Sequence, residues 1–107
     1  MAHLIWTDPA VSDLNTIAEY IALDKPLAVK KLVQKIFLKV ELLEKNPQMG
    51  QMLKQLKTTH YRQFIIKPCR IIYTFLDDTL YIISVQRTER LLHLSSIKIR
   101  ETLLGLI

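Results

Sequence analysis

Cysteine and glycine are scarce in this sequence of 107 residues. Its one cysteine, Cys69, cannot form an internal disulfide, which is typical of proteins from reducing compartments, so we predict a cytoplasmic protein. Its two glycines, Gly50 and Gly105, cannot build a glycine-rich phosphate-binding loop. The sequence contains no Gly-x-Ser-x-Gly motif, which argues against a serine hydrolase of that type.

Long hydrophobic runs and clusters of metal ligands are also missing. No apolar run approaches the roughly 18 residues that a membrane helix needs, and the N-terminus lacks the pattern of a secretory signal. His3, His60, His93 and Cys69 show none of the close pairing that zinc ligands have. We therefore predict no membrane association, no metal and no cofactor, and we expect Cys69 to be a buried, unreactive thiol.

Excess positive charge is confined to one half of the chain. Residues 1–53 carry six lysines against six acidic residues, a net charge of zero. Residues 54–107 carry nine lysines and arginines against four acidic residues, a net charge of +5. This favours an acidic partner for the second half, such as nucleic acid, a nucleic-acid enzyme or an acidic peptide, although the same charge also serves solubility.

The hydrophobic pattern predicts an α+β fold in one domain, residues 1–107. An apolar strand at His3–Trp6 comes first. Asp8 is expected to cap a helix from about Pro9 to Leu23, and a second amphipathic helix follows from Pro26 to Asn46. The short connection between the two helices predicts an antiparallel helical hairpin.

Three further strands are predicted to form a mainly antiparallel sheet on which the hairpin packs. They span Tyr61–Ile66, Cys69–Leu76 and Leu80–Arg87, with Asp77 and Asp78 in the last turn. Both faces of these strands are apolar, so the tail or a partner should cover the face that the hairpin leaves open. By simple alternation, one face of the last strand carries Tyr81, Ile83, Val85 and Arg87.

The tail extension, residues 94–107, is expected to be helical. Ser95 or Ser96 would cap this helix. Its buried stripe would comprise Ile99, Leu103 and Leu106.

Five basic residues of the second half are candidates for function: Arg62, Arg70, Arg87, Arg90 and His93. They lie on predicted strands or strand ends, from which they can converge on one surface. Arginine binds phosphate or carboxylate through two parallel hydrogen bonds, so such a surface would bind RNA or an acidic partner. With His93 as a proton carrier, a metal-independent ribonuclease is chemically conceivable. In the plainer interpretation Arg87 and Arg90 only solvate the strand end, whereas Arg70, flanked by apolar residues, needs a partner.

Several short motifs occur together in a recognisable order over residues 3–93. They are Asp13-Leu14, Ile17-Ala18-Glu19-Tyr20-Ile21, Asn46-Pro47-x-x-Gly50, Tyr61-Arg62, Cys69-Arg70-Ile71-Ile72-Tyr73 and Val85-x-Arg87-x-x-Arg90. This set resembles the RelE/ParE toxin superfamily of bacterial type II toxin–antitoxin modules. The resemblance implies a helical hairpin packed on an antiparallel sheet, in agreement with the hydrophobic pattern.

The resemblance also implies which residues distinguish the two branches of the superfamily. RelE-like members cleave messenger RNA on the ribosome, whereas ParE-like members inhibit DNA gyrase. At two of the RelE-type catalytic positions this sequence keeps an arginine, Arg62 and Arg70. At the other three it has Phe64 in place of a basic residue, Thr88 in place of an arginine, with Arg87 beside it, and Leu94 in place of a tyrosine. Because RNA cleavage needs acid–base and charge-stabilising groups together, these replacements favour the ParE-like branch.

We therefore predict a ParE-like toxin that inhibits DNA gyrase without catalytic residues of its own. By resemblance, a ParD-like antitoxin would neutralise it in a hetero-oligomer, with an acidic C-terminal segment folded onto the hairpin and sheet. The surface that contacts gyrase or antitoxin would comprise Arg62, Arg70, Arg87, Arg90 and His93. One alternative is a RelE-like, ribosome-dependent mRNA endonuclease that uses Arg62, Arg70, Arg87 and His93, since some members use a tail histidine. Another is a non-toxic relative that is kept as a binding module.

Overall fold

A computed structural model describes residues 3–54, Leu56 and residues 61–105. Its elements are β1 (His3–Trp6), α1 (Asp8–Ala22), α2 (Pro26–Lys45), β2 (Gln51–Met52), β3 (Tyr61–Ile66), β4 (Cys69–Leu76), β5 (Thr79–Arg87) and α3 (Leu94–Leu103). This is the predicted α+β fold with one additional short strand, β2. The strands form one mixed sheet in the order β1-β5-β4-β3-β2, in which β1 runs parallel to β5 and the other neighbours are antiparallel. None of the described helices is long and apolar enough to cross a membrane.

Helix α1 is capped by Thr7, not by Asp8 as predicted. The Thr7 hydroxyl accepts a hydrogen bond from the Ala10 amide at 3.4 Å and donates one to the Ile82 carbonyl at 2.6 Å. Threonine therefore both caps the helix and joins it to β5. Asp8 lies in the first turn, where its negative charge suits the helix dipole.

The helical hairpin of α1 and α2 covers one face of the sheet, which we call the hairpin face. Its fully or nearly fully buried residues come from both helices and from the three long strands, and they include Leu14, Ile17, Ile36, Val40, Leu43, Cys69, Ile71, Tyr73, Leu80 and Val85. This cluster confirms the predicted hairpin and its apolar stripes. It is the larger of the two cores in the described part of the chain.

A β-bulge interrupts the pairing of β4 and β5. Ile72 pairs with Ser84 and Tyr73 pairs with Ile82, so Ile83 has no direct partner on β4. An extra residue on one strand shifts the alternation of its side chains. The residues of β5 before and after Ile83 therefore follow two different registers.

The bulge makes the predicted faces of β5 wrong in part. Tyr81 and Ile83 share one face, as predicted, and it is the face opposite the hairpin. Val85 lies on the hairpin face instead, and Arg87 contacts Tyr20 of α1. Simple alternation could not foresee this, since it assumes an unbroken strand.

Helix α3 covers the opposite face of the sheet, which we call the tail face. Its core comprises Leu53, Leu56, Tyr61, Ile72, Ile83 and Ile97, with Tyr81, Leu92, Leu94 and Leu104 packed against it. Of the two expected covers, the tail or a partner, the structure shows the tail on this face. The predicted cap is wrong, because α3 begins after His93 and the Ser96 hydroxyl donates to the His93 carbonyl.

Helix α3 also turns a different side toward the sheet from the one predicted. Ile99 and Leu103 are 58% and 79% exposed, and Leu106 lies outside the described residues. The buried residues are Ile97 and Glu101 instead. A hydrogen bond between Tyr61 and the Glu101 side chain accompanies this orientation, and burial together with this bond raises the pKa of Tyr61 well above its usual 10.0.

Polar contacts hold α3 against α1 and the edge of β5. Arg100 forms two parallel hydrogen bonds with the Asp13 carboxylate, at 2.5 and 2.9 Å, and donates to the Ile83 carbonyl at 3.2 Å. Asp13 in turn accepts from the Val85 amide at 2.9 Å and the Ser84 hydroxyl at 3.2 Å. We call this pair the Asp13–Arg100 clasp. Since it satisfies an acceptor and a donor of β5 beyond the end of β1, it substitutes for a missing neighbouring strand.

The loop between α2 and β2 is organised by the hydroxyl group of Tyr73. This hydroxyl donates to the Pro47 carbonyl at 2.7 Å and accepts from the Gly50 amide at 2.8 Å. Gly50 must be glycine, because an added Cβ would lie 2.5 Å from the Tyr73 oxygen and 2.7 Å from the Gln63 carbonyl oxygen. The loop is thereby fixed to the hairpin face of β4.

Tyr73→Phe should lower the free energy of unfolding by about 1–3 kcal/mol, because the buried Gly50 amide loses its acceptor. Gly50→Ala should cost at least as much, since backbone must move to admit the methyl group. Urea titration followed by circular dichroism measures both. Tyr81→Phe is the matched control, because the described residues give its hydroxyl no hydrogen bond. An equal loss in the control would contradict this role for Tyr73.

A double-mutant cycle of Asp13→Ala and Arg100→Ala should give a coupling free energy of about 1–3 kcal/mol. Asp13→Ala alone should destabilise more than Arg100→Ala, because it also leaves the Val85 amide without its acceptor. The same urea titrations measure these energies. The Arg87–Glu89 ion pair serves as control, since Glu89 is 59% exposed and should couple by less than about 1 kcal/mol. Equal coupling in the two pairs would mean that the clasp is only a surface ion pair.

Candidate functional site

Three of the five candidate basic residues lie around one pocket. Arg87, Arg90 and His93 line a cavity of about 640 Å³ between α1, the end of β5, the connection that follows it and α3. We call this cavity the basic pocket. Asp13 and Arg100 form part of its wall, so the clasp that fixes α3 also shapes the pocket.

Arg87 is held in place by contacts on two sides. Its guanidinium carbon lies 4.2 Å from the centre of the Tyr20 ring, which is a cation–π contact, and its Nη2 forms an ion pair with Glu89. The Tyr20 side chain is 56% exposed at the rim of the pocket. Arg87 is therefore a partly shielded cation in a fixed orientation.

His93 and Arg90 belong to the connection between β5 and α3. The His93 amide donates to the Gln86 side-chain oxygen at 2.9 Å, and its ring lies 3.5 Å from the Ser95 hydroxyl. Arg90 is exposed, and its amide donates to the Arg87 carbonyl at 3.2 Å. These contacts fix the backbone of the connection and leave the Arg90 side chain facing solvent.

Arg62 lies apart from the basic pocket. On β3 it pairs with Tyr73, whereas Arg87 on β5 pairs with Cys69 at the other end of β4. The Arg62 guanidinium donates to the Gly50 carbonyl at 2.7 Å and to the Gln48 carbonyl at 3.4 Å. Arg62 therefore supports the loop between α2 and β2, at the opposite end of the sheet from the pocket.

Arg70 lies on the tail face, opposite both Arg62 and Arg87. Its register partners are Ile65 on β3 and Gln86 on β5. Its Nε atom is buried and has no hydrogen-bond partner among the described residues. The structure therefore does not bring Arg70 together with the other candidates. The partner that we expected for the charge of Arg70 is not found in the described part of the chain.

The three positions that depart from the RelE-type pattern are occupied by residues with structural contacts. Phe64 packs against the core of the hairpin face, and Leu94 packs against the core of the tail face. The Thr88 amide and hydroxyl both donate to the Pro68 carbonyl, at 2.9 and 3.2 Å. None of these three contacts offers a charged or titratable group.

Sequence reasoning missed three residues of the pocket, Asp13, Tyr20 and Arg100. Asp13 and Tyr20 follow the spacing of the buried Ile17 on α1, so a carboxylate within an apolar stripe was a signal that a partner is needed. Arg100 gave no comparable signal, since its partner lies 87 residues away in sequence.

No metal or thiol chemistry is indicated at the pocket. Among the residues that the structure describes, which exclude His60, no three histidine, cysteine or acidic side chains lie close enough to hold a metal ion. Burial raises the pKa of the Cys69 thiol, and the nearby Arg87 opposes this rise. Cys69 is fully buried in the core of the hairpin face, as predicted. The guanidinium groups of Arg87 and Arg90 are chemically suited to binding anions.

Comparison with known proteins agrees with the fold. Residues 4–92 match the family described as ParE toxin of type II toxin-antitoxin system, parDE. Toxin RelE2 of Caulobacter vibrioides is 28% identical over 92 residues, which are 85% of this chain and 100% of that protein. A solved structure described as the chromosomal ParDE TA system from P. aeruginosa has a TM-score of 0.69 at 22% identity, covering 81% of this chain and 96% of that one.

The family match includes β1 to β5 and both helices of the hairpin, but it ends before α3 begins. The hairpin and the sheet therefore lie within the matched region, and α3, which adds Ile97 to the core of the tail face, lies beyond it. From the extent of this match and the agreement in fold, the chain belongs to the ParE toxin family of type II toxin–antitoxin systems, within the RelE/ParE superfamily.

Proposed function

We propose that this toxin acts by binding DNA gyrase and blocking its reaction, without cleaving RNA. The observation that carries this proposal is the separation of the arginines. Arg62 supports a loop at one end of the hairpin face, Arg87 lies at the other end, and Arg70 lies on the tail face. Cleavage of RNA needs a nucleophile-activating group and charge-stabilising groups around one phosphate, and Arg62, Arg70 and Arg87 do not share one site.

The residues at Phe64, Thr88 and Leu94 support the same proposal. Each is engaged in packing or in a backbone hydrogen bond, and none of the three side chains can transfer a proton or carry a charge. A binding toxin needs only a complementary surface, and it tolerates such replacements.

RNA cleavage on the ribosome remains the second candidate function. It is favoured by the relative named Toxin RelE2, which matches most of this chain. It is also favoured by the presence of His93 beside Arg87 and Arg90 in one pocket, because an imidazole and guanidinium groups are suitable for proton transfer and phosphate binding. A non-toxic relative that only binds partners is the remaining alternative.

The purified chain should abolish supercoiling by DNA gyrase and leave cell-free translation intact. The two assays are run in parallel on the same preparation, with heat-denatured chain as control. Supercoiling is read on agarose gels, and mRNA is examined by primer extension. Codon-positioned mRNA cuts that disappear in His93→Ala or Arg70→Ala would overturn the proposal in favour of the nuclease. An absence of effect on both targets would instead favour the non-toxic relative.

We further propose that a cognate antitoxin neutralises this chain by binding to the helical hairpin. The solved structure of similar fold is of a ParDE system. In this chain Leu27 and Leu38 of α2 are 86% and 65% exposed. They are eleven residues apart, about three helical turns, so they lie on one outward side of the helix. Exposed apolar side chains in such a row favour a protein partner.

The double variant Leu27→Gln/Leu38→Gln should weaken antitoxin binding by about tenfold or more, because two apolar contacts are lost. Its melting temperature should stay within about 3 °C of the wild type, since both side chains are exposed. Isothermal titration calorimetry with the cognate antitoxin measures the affinity. Leu103→Gln is the matched control, because Leu103 is 79% exposed on α3. Unchanged affinity in the double variant would exclude this side of α2 from the interface.

A further inference from the structure

The strand β1 ends the sheet on one side, and its outer edge has no neighbouring strand among the described residues. The amides of His3 and Thr7 donate to carbonyls in and just before β5, at 3.0 and 3.2 Å. Successive residues of a strand direct their backbone groups to alternate sides. Leu4 and Trp6 therefore direct their amides and carbonyls outward, away from β5.

The sequence of β1 does not protect this edge from pairing. Natural sheets blunt their edges with lysine, proline, bulges or very short strands. The strand at the other side of the sheet, β2, has only two residues. β1 has four residues, which include no lysine, arginine or proline, and its pairing with β5 contains no bulge. The first 24 residues of the chain contain no lysine or arginine, so neither β1 nor α1 brings one to this edge.

Three of the four side chains of β1 are apolar. On the hairpin face Trp6 packs against Phe37 of α2, with the ring centres 5.3 Å apart, and Leu4 belongs to the same core. Phe37 is 45% exposed. On the tail face Ile5, the register partner of Tyr81, is 44% exposed. A strand added at this edge would bury these side chains and would also pair the backbone.

Antiparallel pairing of β1 with β1 of a second copy satisfies the outward backbone groups. In a hydrogen-bonded pair of an antiparallel ladder, the two opposite residues exchange both N–H···O bonds. Leu4 opposite Trp6 of the second copy is such a pair, and a two-fold axis generates the pair a second time. Ile5 then lies beside the axis, opposite Ile5 of the second copy. Leu4 and Trp6 meet on the hairpin face and the two Ile5 side chains meet on the tail face.

Other registers of this pairing leave backbone groups unsatisfied. A shift by one residue places the outward groups of one copy opposite inward groups of the other, and it brings side chains of opposite faces together. A shift by two residues in either direction leaves one of the two outward residues, Leu4 or Trp6, beyond the end of the facing strand. The strand is therefore complementary to itself in one register.

The ends of the paired strands also match in charge. In this register Thr7 of one copy faces His3 of the other. The exposed carboxylate of Asp8 then lies next to the exposed imidazole of His3 of the second copy. Opposite charges at neighbouring cross-strand positions favour pairing, and the two-fold axis places one such contact at each end.

We propose that two copies of this chain associate through β1 into a symmetric dimer, in which the two five-stranded sheets join into one. Four residues from each strand cannot bury the roughly 800 Å² per partner of a stable complex, so the dimer is weak, with a Kd of about 10–100 µM. The contact uses neither the exposed leucines of α2 nor the basic pocket. It therefore goes beyond the proposed function and leaves both of those surfaces accessible.

Sedimentation velocity of the purified full-length chain, from about 5 to 500 µM, should show the average sedimentation coefficient rising from monomer toward dimer. Ile5→Glu should raise the Kd by about tenfold or more, because it places two carboxylates opposite each other beside the axis. Ile65→Glu is the matched control, since Ile65 on β3 is 43% exposed, and its Kd should stay unchanged. Thermal melting followed by circular dichroism verifies that both variants are folded.

Cross-linking tests the register. Opposite residues of a non-hydrogen-bonded pair have Cα atoms about 4.5 Å apart, within the range of a disulfide, so Ile5→Cys should oxidise to a covalent dimer. His3→Cys is the control. The two His3 positions would lie at least about 13 Å apart, which is too far for a disulfide. Non-reducing gels measure both, and the native Cys69 is fully buried in the core of the hairpin face.

A monomer at every concentration would overturn the proposal, as would equal self-association of Ile5→Glu and the wild type. Equal cross-linking of His3→Cys and Ile5→Cys would contradict the register and also overturn it. If the chain stayed monomeric and Ile5→Glu weakened binding of the cognate antitoxin, the edge would belong to the antitoxin instead. The sedimentation and cross-linking samples contain neither gyrase nor ribosomes. A failure of the dimer is therefore distinguishable from a failure of the proposed function in its own assays.

Discussion

The unequal length of β1 and β5 is the constraint on which the other features of this fold depend. β1 has four residues and β5 has nine, so the second half of β5 has no neighbouring strand on its outer side. Exposed backbone donors and acceptors at a sheet edge must be satisfied by water or by other groups. Here Asp13 accepts from the Val85 amide and Arg100 donates to the Ile83 carbonyl. Two side chains from opposite ends of the chain thus complete the edge of the sheet.

This arrangement links the tail to the basic pocket. Arg100 can reach Asp13 only when α3 lies on the tail face, where Ile97 fills the core and Glu101 meets Tyr61. The pocket forms in the same place, between the edge of β5 and the two helices. The hydrophobic cover of the tail face and one wall of the pocket therefore both depend on the position of α3. Since α3 lies beyond the region matched by the family, this coupling is a feature of the extension.

Local patterns predicted the elements well; the two helix caps were missed by one to three residues, and the other errors have long-range causes. The hairpin, the three long strands and the cover on both faces followed from periodicity and from Asp77 and Asp78 in the turn, where both residues adopt positive φ. The bulge at Ile83 depends on pairing with β4, and the orientation of α3 depends on Tyr61 and Asp13. The expected convergence of Arg62 and Arg70 failed because side-chain alternation puts them on opposite faces once the register of β3 and β4 is known.

The five arginines make different contacts, and these contacts explain why a surface rich in basic residues need not be an active site. Arg62 and Arg100 bind backbone carbonyls and a carboxylate of the protein itself, so their donors serve the fold. Arg70 lies on the face that α3 covers. Arg87 and Arg90 line the basic pocket and, among the described residues, neither donates a side-chain hydrogen bond to a backbone carbonyl. Two cations beside an apolar rim suffice to recognise a carboxylate, whereas RNA cleavage also needs a group that activates the nucleophile, a role that would fall to His93 in this pocket. The small number of arginines that face the basic pocket therefore weakens the case for RNA cleavage and strengthens the case for protein recognition.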